Sequence, residues 1–284
     1  MTTPGVYNVA DDEPAPGDAL GAQFFVPGTS LAALRAGHPP DAPWPWTDDT
    51  EMACSVVDEL REHGRIDQDR LAARFAARFE PYRGYGGGAV VLLRQIREGV
   101  PWRVAARAAF DGSGSMGNGA AMRVAPLGAF FAGDHRTAAL QAMLSAEVTH
   151  AHPEAVLGAV AVAVAAAEAA RGPAPADLLD VVLDHLAESR VRSGVARARR
   201  LLGASVGEAA YELGNGSRVL AFDTVPFTLW VAATHLDDYA AAITACVEAG
   251  GDVDTTAAIV GGIVATCATV PAAWLVRREA LPTD

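Results

Sequence analysis

Twice in this chain, about two hundred residues apart, a pair of aspartates flanked by threonine stands at the start of a helix. Trp46-Thr47-Asp48-Asp49-Thr50 opens a helical stretch from Asp49 to His63. Gly250-Gly251-Asp252-Val253-Asp254-Thr255-Thr256 opens an Ala/Ile/Val/Gly run. Thr and Asp at such positions satisfy free N–H groups and complement the helix dipole, so either motif alone is more often a cap than a metal site. A cap, however, needs one such residue, and neither motif stops at one. The second also leads a helix so apolar that it must be buried, which buries its acids with it. Uncompensated buried carboxylates are too costly to keep charged. If the two helix ends meet, Asp48, Asp49, Asp252 and Asp254 bring four negative charges together, which two divalent cations would neutralise. Oxygen-only ligands select hard ions such as Mg²⁺, Mn²⁺ or Ca²⁺ over zinc. The hydroxyls of Thr47 and Thr255 can complete the coordination.

The rest of the chain predicts an all-α fold. Of its 284 residues 51% are hydrophobic and 20% charged, with many Ala and Leu and few alternating β-branched residues. Helical spacing is expected over Asp49 to His63 (closed by His63-Gly64), Asp69 to Phe79, Ala89 to Glu98, Ala138 to Val148, Pro153 to Arg171, Pro175 to Arg190 and Asp237 to Ala249. Met1 to Pro16 reads as a flexible tail, and no linker or repeat divides 17–284, so one domain is expected. The apolar runs Ala155 to Ala170 and Thr256 to Val270 are shorter than the roughly 20 residues a bilayer needs and read as buried core helices. Acids at Asp11, Asp12 and Glu13 stand where a signal peptide would be cationic, so a cytoplasmic location is expected. Cys54, Cys246 and Cys267 lie far apart without a CxxC pair and read as buried small hydrophobes. A net charge of −12 excludes a general nucleic-acid surface. Nothing calls for more than a monomer.

Gly-rich segments interrupt the helices at Tyr82 to Gly88, Gly112 to Gly119, Leu213 to Gly216 and Gly250-Gly251. The longest, Phe110 to Arg123, contains Gly114-Ser115-Met116-Gly117-Asn118-Gly119, whose amides could cradle phosphate oxygens. It is not a Walker loop, and no strand precedes it as a dinucleotide fold demands. By spacing alone it is a weak signal. Thr149-His150-Ala151-His152-Pro153 sits at a helix start; packing explains it as well as function does, although His150 could bond a ligand phosphate or hydroxyl. His38, His63, His135, His185 and His235 read as surface or helix-end residues.

Taken in order, Gly17-Asp18-Ala19-Leu20-Gly21, Thr47-Asp48-Asp49-Thr50, Arg83-Gly84-Tyr85-Gly86, Ser115 to Arg123, Thr149 to Pro153, Gly214-Asn215-Gly216, Asp223-Thr224-Val225-Pro226 and Gly251 to Thr256 resemble the ADP-ribosylglycohydrolase family, the group containing the dinitrogenase-reductase-activating glycohydrolase. The resemblance spans nearly the whole chain after the tail. It implies a compact single-domain fold of a dozen or so helices around a cleft holding two Mg²⁺ ions, or Mn²⁺ in their place. The metals fall to Thr47, Asp48, Asp49, Asp252, Asp254 and Thr255. The Gly114 to Gly119 loop, through Ser115, Gly117, Asn118 and Gly119, matches the part that wraps the diphosphate. Phe110 and Met116 match the adenosine pocket, and His150 matches a histidine reaching the ligand.

The resemblance implies a hydrolase that frees ADP-ribose from a modified acceptor. Metals hold the distal ribose, and Asp48 or Asp49 deprotonates the attacking water; the sequence does not choose between them. Gln23 to Gly28 lacks the glutamate that several members carry for serine linkages, so an arginine-type acceptor is expected ahead of serine. Glu80 could meet such a guanidinium, although a surface charge explains it better. One alternative is a non-catalytic ADP-ribose-binding or structural relative, which degraded acidic motifs would mark; all four acids are present. Another, a different two-metal hydrolase such as a phosphodiesterase, would recruit histidines or a lysine at spacings not found here.

Overall fold

The computed structural model describes residues 16–282, so the expected flexible tail lies outside the described residues except for Pro16. Sixteen α-helices and two short 3₁₀ segments, with no strand, are present among the described residues. The first half holds α1 (Gly17–Ala22), α2 (Leu31–Arg35), α3 (Asp48–His63), α4 (Gln68–Arg78), α5 (Gly87–Arg97), α6 (Trp102–Ala108), α7 (Ala125–Phe130) and α8 (His135–Glu147). The second holds α9 (Pro153–Ala169), α10 (Pro175–Asp184), α11 (Arg190–Arg200), α12 (Val206–Leu213), α13 (Ala221–Thr234), α14 (Tyr239–Ala249), α15 (Val253–Val264) and α16 (Ala272–Leu275).

The two apolar runs form the centre. From Gly158 to Ala169 every side of α9 is buried, and it packs against α7, α8, α10 and α13. Alanine on all faces lets these neighbours approach from every direction, which a helix with one apolar stripe cannot accommodate. α15 lies against α1, α13 and α14. No helix of the described residues is long and apolar enough to cross a membrane.

The contact of α1 with α15 is set by glycine. A Cβ on Gly17 would stand 2.1 Å from the Ala257 carbonyl oxygen, and one on Gly21 would stand 2.7 Å from that of Val253 and 2.9 Å from Asp254 Cα. Residues four apart share a helix face, so the two glycines let the backbones touch there. That approach lays Asp18 beside the N-terminal turn of α15.

Two expectations need correcting. Pro175 to Arg190 is not one helix: α10 stops at Asp184, and α11 starts at Arg190. Ser189 caps α11 by accepting from the Arg192 amide at 3.0 Å, and the Glu154 carboxylate, arriving from α9, accepts from the Arg190 and Val191 amides at 2.8 and 3.0 Å. A cap supplied from another helix leaves no mark in the local spacing. Cys267 is exposed, because α15 ends at Val264 and the chain turns outward, whereas Cys54 and Cys246 are buried. His63, His135, His185 and His235 do lie at helix ends, but His135 also has partners: its Nε2 is 2.8 Å from Glu168, and its ring meets His185 edge-on at 5.6 Å.

Candidate functional site

The two acidic helix starts converge. Oxygens of Asp18, Asp49 and Asp254, one from each of α1, α3 and α15, all lie within 4.8 Å of one another. Asp48 and Asp252 stand close enough to raise their neighbours' pKa values. Five carboxylates from three segments therefore share one cleft.

Asp18 is the member that sequence reasoning missed. It has no acidic neighbour, and its motif entered only as part of the resemblance. It organises the start of α3: its carboxylate accepts from the Thr47 amide at 2.9 Å, the Thr47 hydroxyl at 2.7 Å, the Thr50 amide at 3.3 Å and the Thr50 hydroxyl. Burial raises its pKa, and these four bonds oppose that by favouring the anion. The Gly17/Gly21 spacing around a buried-side acid is the signal that could have found it.

Thr47 Oγ1 also lies 3.0 Å from Asp49 Oδ2. Asp49 is 2% exposed, and its Oδ1 is buried without a hydrogen-bond partner. Burial, then the charges of Asp254 and Asp18, push its pKa well above the carboxylate range. Asp48 is partly exposed to the cleft. Its amide donates to the Arg83 carbonyl at 2.7 Å, and a Cβ on Gly84 would stand 3.4 Å from its Oδ1, so the Arg83-Gly84 turn covers one side of it. Burial, with Asp18 and Asp252 adding repulsion, pushes Asp48 up to about 7. The turn itself is clamped: the Arg83 guanidinium stacks 3.4 Å above the Trp46 ring and pairs twice with Glu279, at 2.8 and 2.9 Å. Glu80 is exposed, as a surface charge would be.

At the other helix start, burial and the Asp252 and Asp18 charges push Asp254 up to about 8. Thr255 is buried, and its amide donates to Asp254 Oδ1 at 2.8 Å. Asp252 takes 2.7 Å and 3.2 Å bonds through different atoms: its Oδ2 accepts from Asn118 Nδ2, and its amide donates to the Asn215 carbonyl. Gly251, at φ 76°, passes so near Asn215 that a Cβ would stand 2.3 Å from the same carbonyl oxygen. Left-handed backbone and contact together require glycine there.

The Gly114 to Gly119 loop borders this centre but its parts divide. Asn118 is 3% exposed, with its side chain on Asp252 and Thr224 and its amide on the Val219 carbonyl. The Gly117 amide donates to Ser115 Oγ at 3.2 Å. The amides of Ser115 and Met116 have no protein acceptor among the described residues. The segment is held in place by an antiparallel bridge between Gly117 and Leu220 and a 3.0 Å bond from the Ala221 amide to the Met116 carbonyl. Gly114 backs onto the His152 amide, 2.8 Å from where its Cβ would be. The His150 ring abuts Gly117 and Gly119, its Nε2 being 3.3 and 3.2 Å from their would-be Cβ positions. Phe110 is 66% exposed at φ 54°, an apolar ring at the outer lip of the loop.

Buried oxygens of like charge, one of them unpartnered, form a donor set that calls for hard cations and offers nothing to thiophilic ones.

A family model described as ADP-ribosylglycohydrolase matches residues 15–282. ADP-ribosylhydrolase ARH3 of Gallus gallus is 30% identical over 274 residues, covering 83% of this chain and 74% of the relative. An uncharacterized protein of Archaeoglobus fulgidus is 32% identical over 281 residues, covering 92% and 87%. Among solved structures, one titled "ADP-ribosylglycohydrolase-related protein complex" superposes with a TM-score of 0.65 at 26% identity, covering 95% of this chain and 89% of that one.

Proposed function

The chain belongs to the ADP-ribosylglycohydrolase family, and from that premise we propose that it hydrolyses the glycosidic bond joining the distal ribose of ADP-ribose to a modified acceptor, using two divalent cations, Mg²⁺ ahead of Mn²⁺. We take the catalytic domain to span 17–284. The observation that carries the reading is the meeting of Asp18, Asp49 and Asp254 oxygens within 4.8 Å, with Asp49 Oδ1 buried and unpartnered. Two buried carboxylates, Asp18 and Asp49, crowded by three partly buried ones are stable as anions only against positive charge.

The residues that would hold the cations are Thr47, Asp48, Asp49, Asp252, Asp254 and Thr255, joined by Asp18. When bound, they supply positive charge for the ribose hydroxyls and acidify a water. Asp48 is the better general base of the α3 pair: it is partly exposed to the cleft, whereas Asp49 is 2% exposed. The free Ser115 and Met116 amides are suited to diphosphate oxygens, and Phe110 offers its face to the adenine. The Asn118 side chain acts on the acidic centre instead, steadying Asp252. An arginine-linked acceptor stays ahead of a serine-linked one, since Gln23 to Gly28 brings no acid to the cleft.

Substrates carrying ADP-ribose on arginine, on serine and on nucleic-acid bases, assayed with Mg²⁺ and with EDTA, test this directly. Release of ADP-ribose that needs metal and vanishes in Asp48→Ala and Asp254→Ala supports the hydrolase. Unchanged release in EDTA and in both variants rejects the metal site. Tight ADP-ribose binding with no turnover on any substrate makes the chain a binding relative.

A further inference from the structure

Behind the Gly117–Gly119 segment lies a cation that the proposed chemistry does not use. Arg123 is 0% exposed and faces no carboxylate: Nη1 donates to the Gly119 carbonyl at 3.2 Å, Nη2 donates to the Ser145 carbonyl at 2.8 Å and to Thr149 Oγ1 at 2.9 Å, and Phe75 lies 4.6 Å beneath the guanidinium. Burying an uncompensated guanidinium is expensive, so its bonds need a purpose beyond packing. The next contact supplies one. Thr149 Oγ1 stands 2.7 Å from His150 Nδ1.

Arginine has no acceptor, so Thr149 Oγ1 must accept from Arg123. Its second lone pair could also accept from an Nδ1–H, but the hydroxyl's own proton would then have no acceptor among the described residues; donation to His150 Nδ1 satisfies both groups and leaves that ring nitrogen unprotonated. A neutral imidazole carries one N–H, and here it is left on Nε2. That nitrogen lies against Gly117 and Gly119, and no protein atom among the described residues accepts from it.

We propose that Arg123 and Thr149 are positioning residues that lock His150 as a neutral imidazole protonated on Nε2, presenting that N–H to an anionic oxygen of the ligand over the Gly117–Gly119 segment. The ligand half of this rests on the cleft being an ADP-ribose site; the tautomer half does not. Electrostatics agree with the geometry: burial and then the Arg123 charge push His150 down to about 3, and burial pulls Arg123 down to about 9. At neutral pH the ring is uncharged while the guanidinium keeps its proton. Without the relay both tautomers of a neutral imidazole would be populated, and a fraction of the protein would turn a lone pair on the anion. Thr149 thus acts as a one-way switch for a proton position, set by a charge that the ligand never touches.

The test pairs Thr149→Val, which keeps the shape and removes the hydroxyl, with Thr149→Ser, which restores it. Long-range ¹H–¹⁵N spectra of histidine-labelled, ligand-free protein read the His150 tautomer, and calorimetry reads ADP-ribose affinity. The lock predicts Nε2–H in the wild type and in Thr149→Ser, and mixed or Nδ1–H in Thr149→Val. It also predicts affinity weakened in Thr149→Val only, by the inverse of the remaining Nε2–H fraction: about twofold for an even mixture and about tenfold where Nε2–H falls to about a tenth. Nδ1–H or a charged ring in the wild type overturns the lock. A changed tautomer with unchanged affinity overturns the donor role. The predicted tautomers in a protein that binds no ADP-ribose support the lock and reject the ADP-ribose site itself.

Discussion

Asp254 is where the cluster's electrostatics are most exposed to experiment. Burial and the Asp252 and Asp18 charges hold its pKa at about 8, so without metal its neutral form prevails at pH 7. Asparagine copies that form. Asp254→Asn should therefore melt in EDTA within about 3 °C of the wild type, less than 1 kcal/mol for a domain of this size. Its stabilisation by Mg²⁺ should disappear, and turnover should fall by more than about a hundredfold, the upper end of losses seen even for outer partners of metal sites. If Asp254 were only a helix cap, calorimetry would instead show the variant losing stability equally with and without Mg²⁺. The four acids of the doublets were legible because a cap needs one acid and each motif carries two. Asp18 was not, because its four donors come from Thr47 and Thr50, 29 and 32 residues away in the chain. The split within the Gly114 to Gly119 loop was equally hidden: nothing local says that the Asn118 side chain turns back to Asp252, 134 residues on.

Between elements, the decisive contact is α1 on α15, because it alone brings Asp18 to Asp254. Gly21→Ala puts a methyl 2.7 Å from the Val253 carbonyl and 2.9 Å from Asp254 Cα, both backbone atoms that cannot swing aside. The helices must separate, at a cost of roughly 1–3 kcal/mol for such overpacking. Since the shift also pulls Asp18 from the cluster, Mg²⁺ affinity should fall together with the midpoint of urea unfolding. Gly88→Ala in the first turn of α5 is the counter-case: nothing lies within 4 Å of its Cβ position, so it should stabilise by about 0.5–1 kcal/mol and leave Mg²⁺ binding intact. Equal effects of the two changes would mean that helix propensity rather than close approach sets the role of Gly21. Helices such as α3, α4 and α5 follow from spacing because their apolar faces and stops lie within their own residues, and α9 follows from its unbroken apolar run. The break between α10 and α11 does not, since Glu154 caps α11 from another helix.

At the scale of the whole molecule, the acids and His150 pull stability in opposite directions with pH. Asp48 at about 7 and Asp254 at about 8 sit above their unfolded values near 3.8, so the metal-free fold holds more protons than the unfolded chain and loses stability as pH rises through these values. His150, at about 3 against an unfolded value of 6.5, holds fewer; its contribution is complete above 6.5 and is lost as pH falls toward 3. Below 6.5 the two trends offset each other; from 6.5 to 8 only the acids still titrate. In EDTA the melting temperature should therefore fall across pH 6.5 to 8, by several degrees at about 2–4 °C per kcal/mol. Saturating Mg²⁺ should flatten that limb, because a cation holds the carboxylates ionised in the fold at every pH of the window. The same protons must leave when metal binds, so the apparent Mg²⁺ affinity should rise toward a limit of about tenfold per pH unit for each proton released, levelling off above pH 8. Parallel melting curves in EDTA and Mg²⁺ would separate these carboxylates from cation binding altogether. The net charge of −12 works in the same direction, since a fold already rich in negative charge repels its own acids more with each one ionised, and the two divalent cations proposed for the cleft would remove four charges where repulsion is greatest.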